Sequence, residues 1–248
     1  MNISLIVPCF NESSNLQKGV LDKIGNYVAN DPRFKEVLIV DDGSTDSSKL
    51  IIKEFYLPKF PKFKLIENDH RGKAFAVITG IQKAKGERVI FSDIDLATPI
   101  EEAEKLIKGL TNGFQIVIGS RNSRRKGAPF LRKVMAVGLI AVRGFFIGLG
   151  NIRDTQCGFK AFERKTALTI IDKLRVFNPQ RQVRGSSVSA GFDLEFLFLA
   201  KRMNLEIKEV PVTWRHVETK NVNFLTDSIE TLRDLIKIRL YDLAGKYK

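Results

Sequence analysis

The sequence predicts an α/β fold built on a mostly parallel sheet, with an elaborated C-terminal half. Five short runs of β-branched and apolar residues lie before residue 120, each separated from the next by a longer stretch with helical spacing or turn signals. That is the rhythm of strands joined by crossover helices. Beyond residue 120 the alternation breaks. The chain has 248 residues, 44% of them hydrophobic, enough to bury a full core without disulfide or metal staples.

Ile3–Pro8 reads as the first strand. Leu16, Val20, Ile24 and Val28 recur every four residues and predict an amphipathic crossover helix. Glu36–Asp41 is the second strand, and Leu50, Ile51, Glu54 and Phe55 continue the helical style after it. Phe63–Glu67, Arg88–Ser92 and Gln115–Gly119 complete the five β units. Arg121–Lys133 then reads as a basic loop, Val134–Gly150 as an apolar stretch rich in glycine, and Asp154–Phe162 as a short polar and aromatic motif. Leu194–Arg202 is helical, Glu206–Trp214 is a late strand, and Leu225–Tyr241 is a final helix. No linker or repeat divides the chain, so residues 1–248 are read as one domain.

With 41 basic against 28 acidic side chains the formal charge is +13, which demands an anionic partner: nucleic acid, an anionic bilayer or a phosphorylated ligand. Cys9 and Cys157, so far apart, fit a reducing compartment better than a disulfide framework. The start lacks the basic region of a signal peptide. Arg143 interrupts Met135–Gly150, the nearest approach to a spanning run. A cytoplasmic chain that does not cross a membrane is expected.

Ligands of open parallel sheets bind at the carboxyl ends of the strands. Here those ends carry Pro8-Cys9-Phe10-Asn11-Glu12, Asp41-Asp42-Gly43-Ser44-Thr45-Asp46 and Asp93-Ile94-Asp95. Singly, the first two have plainer explanations as turns and caps. Three acid-bearing ends on one rim repel one another and require a cation or a set of hydrogen-bond donors. If Asp93-Ile94-Asp95 is still extended, alternation sends both carboxylates to one side, where they share Mg²⁺ or Mn²⁺ bridging a diphosphate. No Gly-x-x-x-x-Gly-Lys-Ser/Thr loop occurs, and Arg153 stands where the dinucleotide fingerprint after Gly148-Leu149-Gly150 needs glycine. Arg71, Lys73, Arg121, Arg215 and Lys220 are the candidate phosphate clamps.

The whole set resembles the inverting glycosyltransferases of family 2, and within it the polyprenyl-phosphate branch that includes the dolichyl-phosphate β-glucosyltransferases. The strand-end motifs carry the likeness together with Arg71-Gly72-Lys73, Gly119-Ser120-Arg121, Arg153-Asp154-Thr155-Gln156-Cys157-Gly158-Phe159-Lys160 and Phe192-Asp193-Leu194-Glu195. It implies a GT-A fold with a Rossmann-like, mostly parallel sheet: a nucleotide-binding half over 1–120, a sugar and acceptor half over 121–224, and an amphipathic helix over 225–248. Pro8, Asn11, Glu12 and Asp42 would line a uridine pocket with Asp41 nearby, and Arg71 and Lys73 would approach the nucleotide. Asp93 and Asp95 would hold the metal. Asp154, Gln156, Asp193 and Glu195 would shape the sugar and acceptor pocket. Thr219-Lys220-Asn221 departs from the family's Gly-Ser-Lys.

The implied reaction moves a hexose, glucose from UDP-glucose first, to a polyprenyl or dolichyl phosphate with inversion. GDP-mannose or UDP-GlcNAc as donor, or a sugar hydroxyl as acceptor, is the alternative. A phosphate monoester with a second pKa of about 6 is already an anion at neutral pH, so neither His70 nor His216 need be a base. A phosphatase using Asp-x-Asp is disfavoured by Ala97, where a Thr or Val would follow; a nucleotidyltransferase would share the acidic rim but release pyrophosphate. No nucleic-acid partner is expected, because strand-end acids repel its phosphates. The basic and apolar run from Arg121 reads as an interfacial element in which Arg124, Arg125, Lys126, Arg132 and Lys133 meet anionic lipid, placing the protein peripherally on the cytoplasmic face of a membrane.

Overall fold

The computed structural model describes residues 1–121, 138, 142–178, 181, 191–215, 217 and 224–247, with backbone alone for 224–228. Ile3–Cys9 (β1), Phe34–Asp41 (β2), Phe63–Glu67 (β3) and Arg88–Ser92 (β4) are parallel neighbours. All of β1 is buried, which is why a strand covered on both faces reads as a nearly unbroken apolar run. Ile116–Arg121 (β5) and Ile207–Val212 (β7) are also parallel, while Phe159–Glu163 (β6) runs antiparallel between β4 and β5. The order is β3-β2-β1-β4-β6-β5-β7.

Helices cover both faces. Alternate residues of β1 divide between two cores. Leu5 and Val7 pack with Val20, Leu21 and Ile24 of α2 (Val20–Ala29) and with Leu106 of α6 (Ala103–Thr111). Ile6 packs in the other core with α5 (Lys73–Lys83), α8 (Arg164–Lys173), α9 (Gly191–Arg202) and α10 (Phe224–Leu243). Residues 142–147 are helical (α7) and add Ile147 to that core.

Three readings need correction. The helix expected from Leu16 to Val28 is two, Ser13–Gln17 (α1) and α2, broken at Gly19, whose φ of 74° is a conformation glycine adopts without strain. The segment after β2 is Ser48–Ile51 (α3), a π-helical turn Ile52–Tyr56, and Leu57–Lys59 (α4). The polar and aromatic motif ends in β6, with α8 following at once.

Candidate active site

Side chains of the strand-end motifs clasp neighbouring loops. Asn11 has a left-handed backbone (φ 53°), which asparagine tolerates, and its Oδ1 accepts from the N–H of Thr45 at 2.8 Å and of Asp46 at 3.2 Å. Glu12 N–H donates to Ser48 Oγ and Ser13 N–H to Asp46 Oδ2. Asp42, buried, ties in a third loop by accepting from the N–H groups of Arg71 (3.1 Å) and Gly72 (2.7 Å), with His70 Nδ1 at 2.8 Å. Burial pushes the Asp42 carboxyl up against the pull of those donors. The His70 ring stacks on Phe10 at 4.1 Å, and the Arg71 guanidinium lies 3.8 Å over Phe75. Pro8 and Asp41 are buried behind this rim, so neither is an open lining residue.

The Asp-x-Asp segment is not extended. β4 ends at Ser92, the chain turns, Leu96 takes φ 51°, and Asp95 Oδ1 accepts from Ala97 N–H at 2.9 Å. Asp93 and Asp95 are brought together by a turn instead of by strand alternation. Burial raises Asp95 with Asp93 adding to it, and burial likewise raises Glu12 against the pull of the Asn15 bond, with Asp95, Asp93 and Asp46 adding to the rise. Lys73 pairs with Asp93; burial disfavours its charge, but Asp93, Asp193 and Asp95 together hold the ammonium above its usual range. No trio of His, Cys, Asp or Glu forms a metal cage among the described residues. Two carboxylates on a crowded acidic rim do fit a hard cation that takes its other ligands from phosphate and water.

Gly158 fixes how Asp93 sits. Asp93 N–H donates to Gly158 O at 3.2 Å, and a Cβ on Gly158 would lie 2.0 Å from Asp93 Oδ2 and 2.5 Å from its Cγ. Gly158→Ala is therefore expected to expel the carboxylate and cut turnover by about 100-fold, the scale of an ångström misplacement. Steady-state kinetics beside a thermal melt checks this, and turnover within threefold of wild type would contradict it.

Across the cleft, Arg121 meets Asp154 in a two-pronged pair, Nε to Oδ2 at 2.7 Å and Nη2 to Oδ1 at 2.8 Å, and its N–H adds a third bond. Burial works against both charges; their mutual bonds win, holding Asp154 below and Arg121 above their usual ranges. Gln156, Gly158, Trp214 and Arg121 line one recess with Ser92 and Asp93. Lys160, 1% exposed, donates to Asp193 Oδ1 at 2.8 Å and to Cys157 O at 2.6 Å. Arg215 has an exposed side chain, and its N–H bonds Ala97 O at 2.7 Å, seating Trp214 beside the Asp95 turn. Glu195 does not belong to this pocket. It is wholly buried, and its oxygens accept from the N–H groups of Arg175, Val176 and Phe177 and from Tyr247 Oη. Arg124, Arg125, Lys126, Arg132, Lys133, His216 and Lys220 lie outside the described residues.

Residues 4–169 match the family model described as glycosyl transferase family 2. The chain belongs to glycosyltransferase family 2. Three relatives of this glycosyltransferase are named dolichyl-phosphate β-glucosyltransferases: one from Trichomonas vaginalis (35% identical, 99% of this chain, 75% of the relative), one from Saccharomyces cerevisiae (30%, 99%, 76%) and one from Homo sapiens (32%, 99%, 77%). Its fold is that of glucosyl-3-phosphoglycerate synthase from Mycobacterium tuberculosis. A structure of that protein with Mn²⁺ and UDP-glucose superposes at TM-score 0.69 with 18% identity over 96% of this chain and 78% of the other. A UDP complex gives 0.68 with 20% identity, covering 96% and 80%. These neighbours carry the GT-A architecture.

Sequence reasoning passed over Lys160 and Gly158 as individual residues. A lysine inside the apolar run Phe159–Phe162 was the available signal for a buried, partnered ammonium.

Proposed function

We propose that this glycosyltransferase moves glucose from UDP-glucose to a polyprenyl phosphate, dolichyl phosphate first, with inversion at the anomeric carbon. The relatives' names support the substrates, and one structural observation favours a phosphate nucleophile. Among the described residues, the expected carboxylates of the sugar side are engaged, Asp154 by Arg121 and Asp193 by Lys160, and Glu195 is buried away from the pocket. A hydroxyl acceptor would need a free general base; a phosphate monoester, already anionic, would not. Asp93 and Asp95 would hold Mg²⁺ or Mn²⁺, which when bound supplies positive charge to the departing diphosphate. Lys73 would hold the Asp93 carboxylate in place, while Arg121 would present its guanidinium to the reacting phosphates or sugar.

We further infer that residues 1–248 act as one domain at a membrane surface. No helix among the described residues is long and apolar enough to cross a bilayer. α10 exposes Leu232, Ile236, Leu240 and Leu243 beside Arg233 and Lys237, a composition suited to an anionic interface, to which the 121–133 run would add.

The test incubates the protein with Mn²⁺, a short-chain polyprenyl phosphate and labelled UDP-glucose, UDP-GlcNAc or GDP-mannose. A β-linked glucosyl lipid with equimolar UDP is expected from UDP-glucose, and activity should vanish in EDTA. Faster turnover of GDP-mannose, pyrophosphate as product, or full activity in EDTA would each overturn the corresponding assignment.

A further inference from the structure

The loop that delivers Asp154 is gripped from two sides by residues of opposite charge. From α7, Arg143 reaches under the loop: Nη1 donates to Thr155 Oγ1 at 2.8 Å, and Nη2 donates to Arg153 O at 2.9 Å and to Ile152 O. From β7, Glu209 accepts from the N–H of Arg153 at 3.1 Å and of Asp154 at 2.8 Å. The guanidinium thus takes the loop's carbonyls while the carboxylate takes its amides. Both Arg143 and Thr155 are buried. α7 can come this close because Gly144 and Gly150 face each other: a Cβ on Gly144 would lie 3.1 Å from Gly150 Cα.

A buried guanidinium is a costly way to fill space. Among the described residues Arg143 Nε has no hydrogen-bond partner, and the three acceptors described for its side chain are neutral. An apolar side chain of similar volume commonly serves stability as well as a buried charge does. What the charge adds is geometry: several directed bonds from one rigid fork to successive groups of one loop.

We propose that Arg143 and Glu209 are positioning residues that clamp loop 152–155 from opposite sides and so hold Asp154 in its two-pronged pair with Arg121. The clamp rests on geometry alone; its effect on turnover rests on the glucosyl-transfer reading above. Releasing either jaw lets the Asp154 backbone drift, and Arg121 then loses its orientation toward the cleft.

The chain's single tryptophan is a built-in reporter. Trp214 lines the cleft, and the Arg121 guanidinium stands 5.9 Å from its ring. Arg143→Met and Glu209→Gln should each shift Trp214 emission, increase its quenching by acrylamide and speed deuterium uptake over 152–158, in the same direction as Asp154→Ala. Combining Arg143→Met with Asp154→Ala should add little, because both act on one element. In the transfer assay kcat should fall by about 10–100-fold, and Arg143→Lys should recover part of the loss. Should Arg143→Met fail to fold, Glu209→Gln and Arg143→Lys give the same readouts. Unaltered Trp214 fluorescence and unaltered exchange in the folded variants would overturn the clamp. Those two measurements need no substrate, so a wild-type protein inactive toward UDP-glucose and polyprenyl phosphate would refute the functional reading while the clamp is still decided.

Discussion

Asp93→Asn is expected to lower kcat by about 1,000-fold or more while leaving the fold in place. Asparagine keeps the size of the side chain, so it still fits against Gly158, and the backbone bond from residue 93 to Gly158 O survives. What disappears is the charge. That removes one of two anionic ligands for a divalent cation and takes away the carboxylate paired with Lys73. Removing one electrostatic contact to developing charge typically costs about 100–1,000-fold, and here the cation's hold is weakened as well. Asp95→Asn should be milder in structure but similar in rate, since its amide oxygen can still accept from Ala97 N–H. Calorimetric titration of UDP with and without Mn²⁺ separates the causes: metal-dependent affinity should drop sharply and metal-independent affinity little. Activity within tenfold of wild type would remove Asp93 from the reaction.

How far the sequence revealed this site depends on which physical signal each residue carries. Arg88–Ser92 matches the structure at both ends because a buried strand announces itself as a short apolar run between polar stretches; Phe63–Glu67 matches too, at the sheet's edge, where Phe63 alone is buried. β6 was hidden for the converse reason. Its Phe-Lys-Ala-Phe-Glu places a lysine where a buried residue belongs, and what makes that burial tolerable is a bond to Cys157 O together with the Asp193 pair, 33 positions away in sequence. The acidic rim was visible as composition, but its geometry was not: the turn at Leu96 that gathers Asp93 and Asp95 has no Gly-Asn signature to betray it. Arg143 read as an interruption of an apolar stretch, since nothing local says that its partners lie 9 to 12 residues onward. Glu195 could have been separated from Asp193 by periodicity. Two residues on a helix are rotated by about 200°, so a pocket that takes one faces away from the other.

That separation leads to the second large effect, on stability. Glu195→Ala is expected to cost about 3–5 kcal/mol, the scale for breaking a buried polar network. The carboxylate sits on α9 with no solvent exposure and accepts from three consecutive backbone amides, those of Arg175, Val176 and Phe177, at 2.7, 2.8 and 2.9 Å. Its fourth partner, Tyr247 Oη at 2.7 Å, comes from the far end of the chain and is itself buried against Phe198. Truncation to alanine strips all four donors at once and leaves a cavity where water cannot easily replace them. Glu195→Gln keeps one acceptor oxygen but points an N–H₂ group at donors, so it should recover only part of the loss. Tyr247→Phe removes a single bond and should cost about 1 kcal/mol. Urea unfolding followed by circular dichroism measures all three, and kcat per folded molecule, taken well below the melting transition, should stay near wild type because no oxygen of Glu195 reaches the cleft. A Glu195→Ala protein that melts like wild type yet has lost its turnover would put the carboxylate back among the groups that handle the sugar.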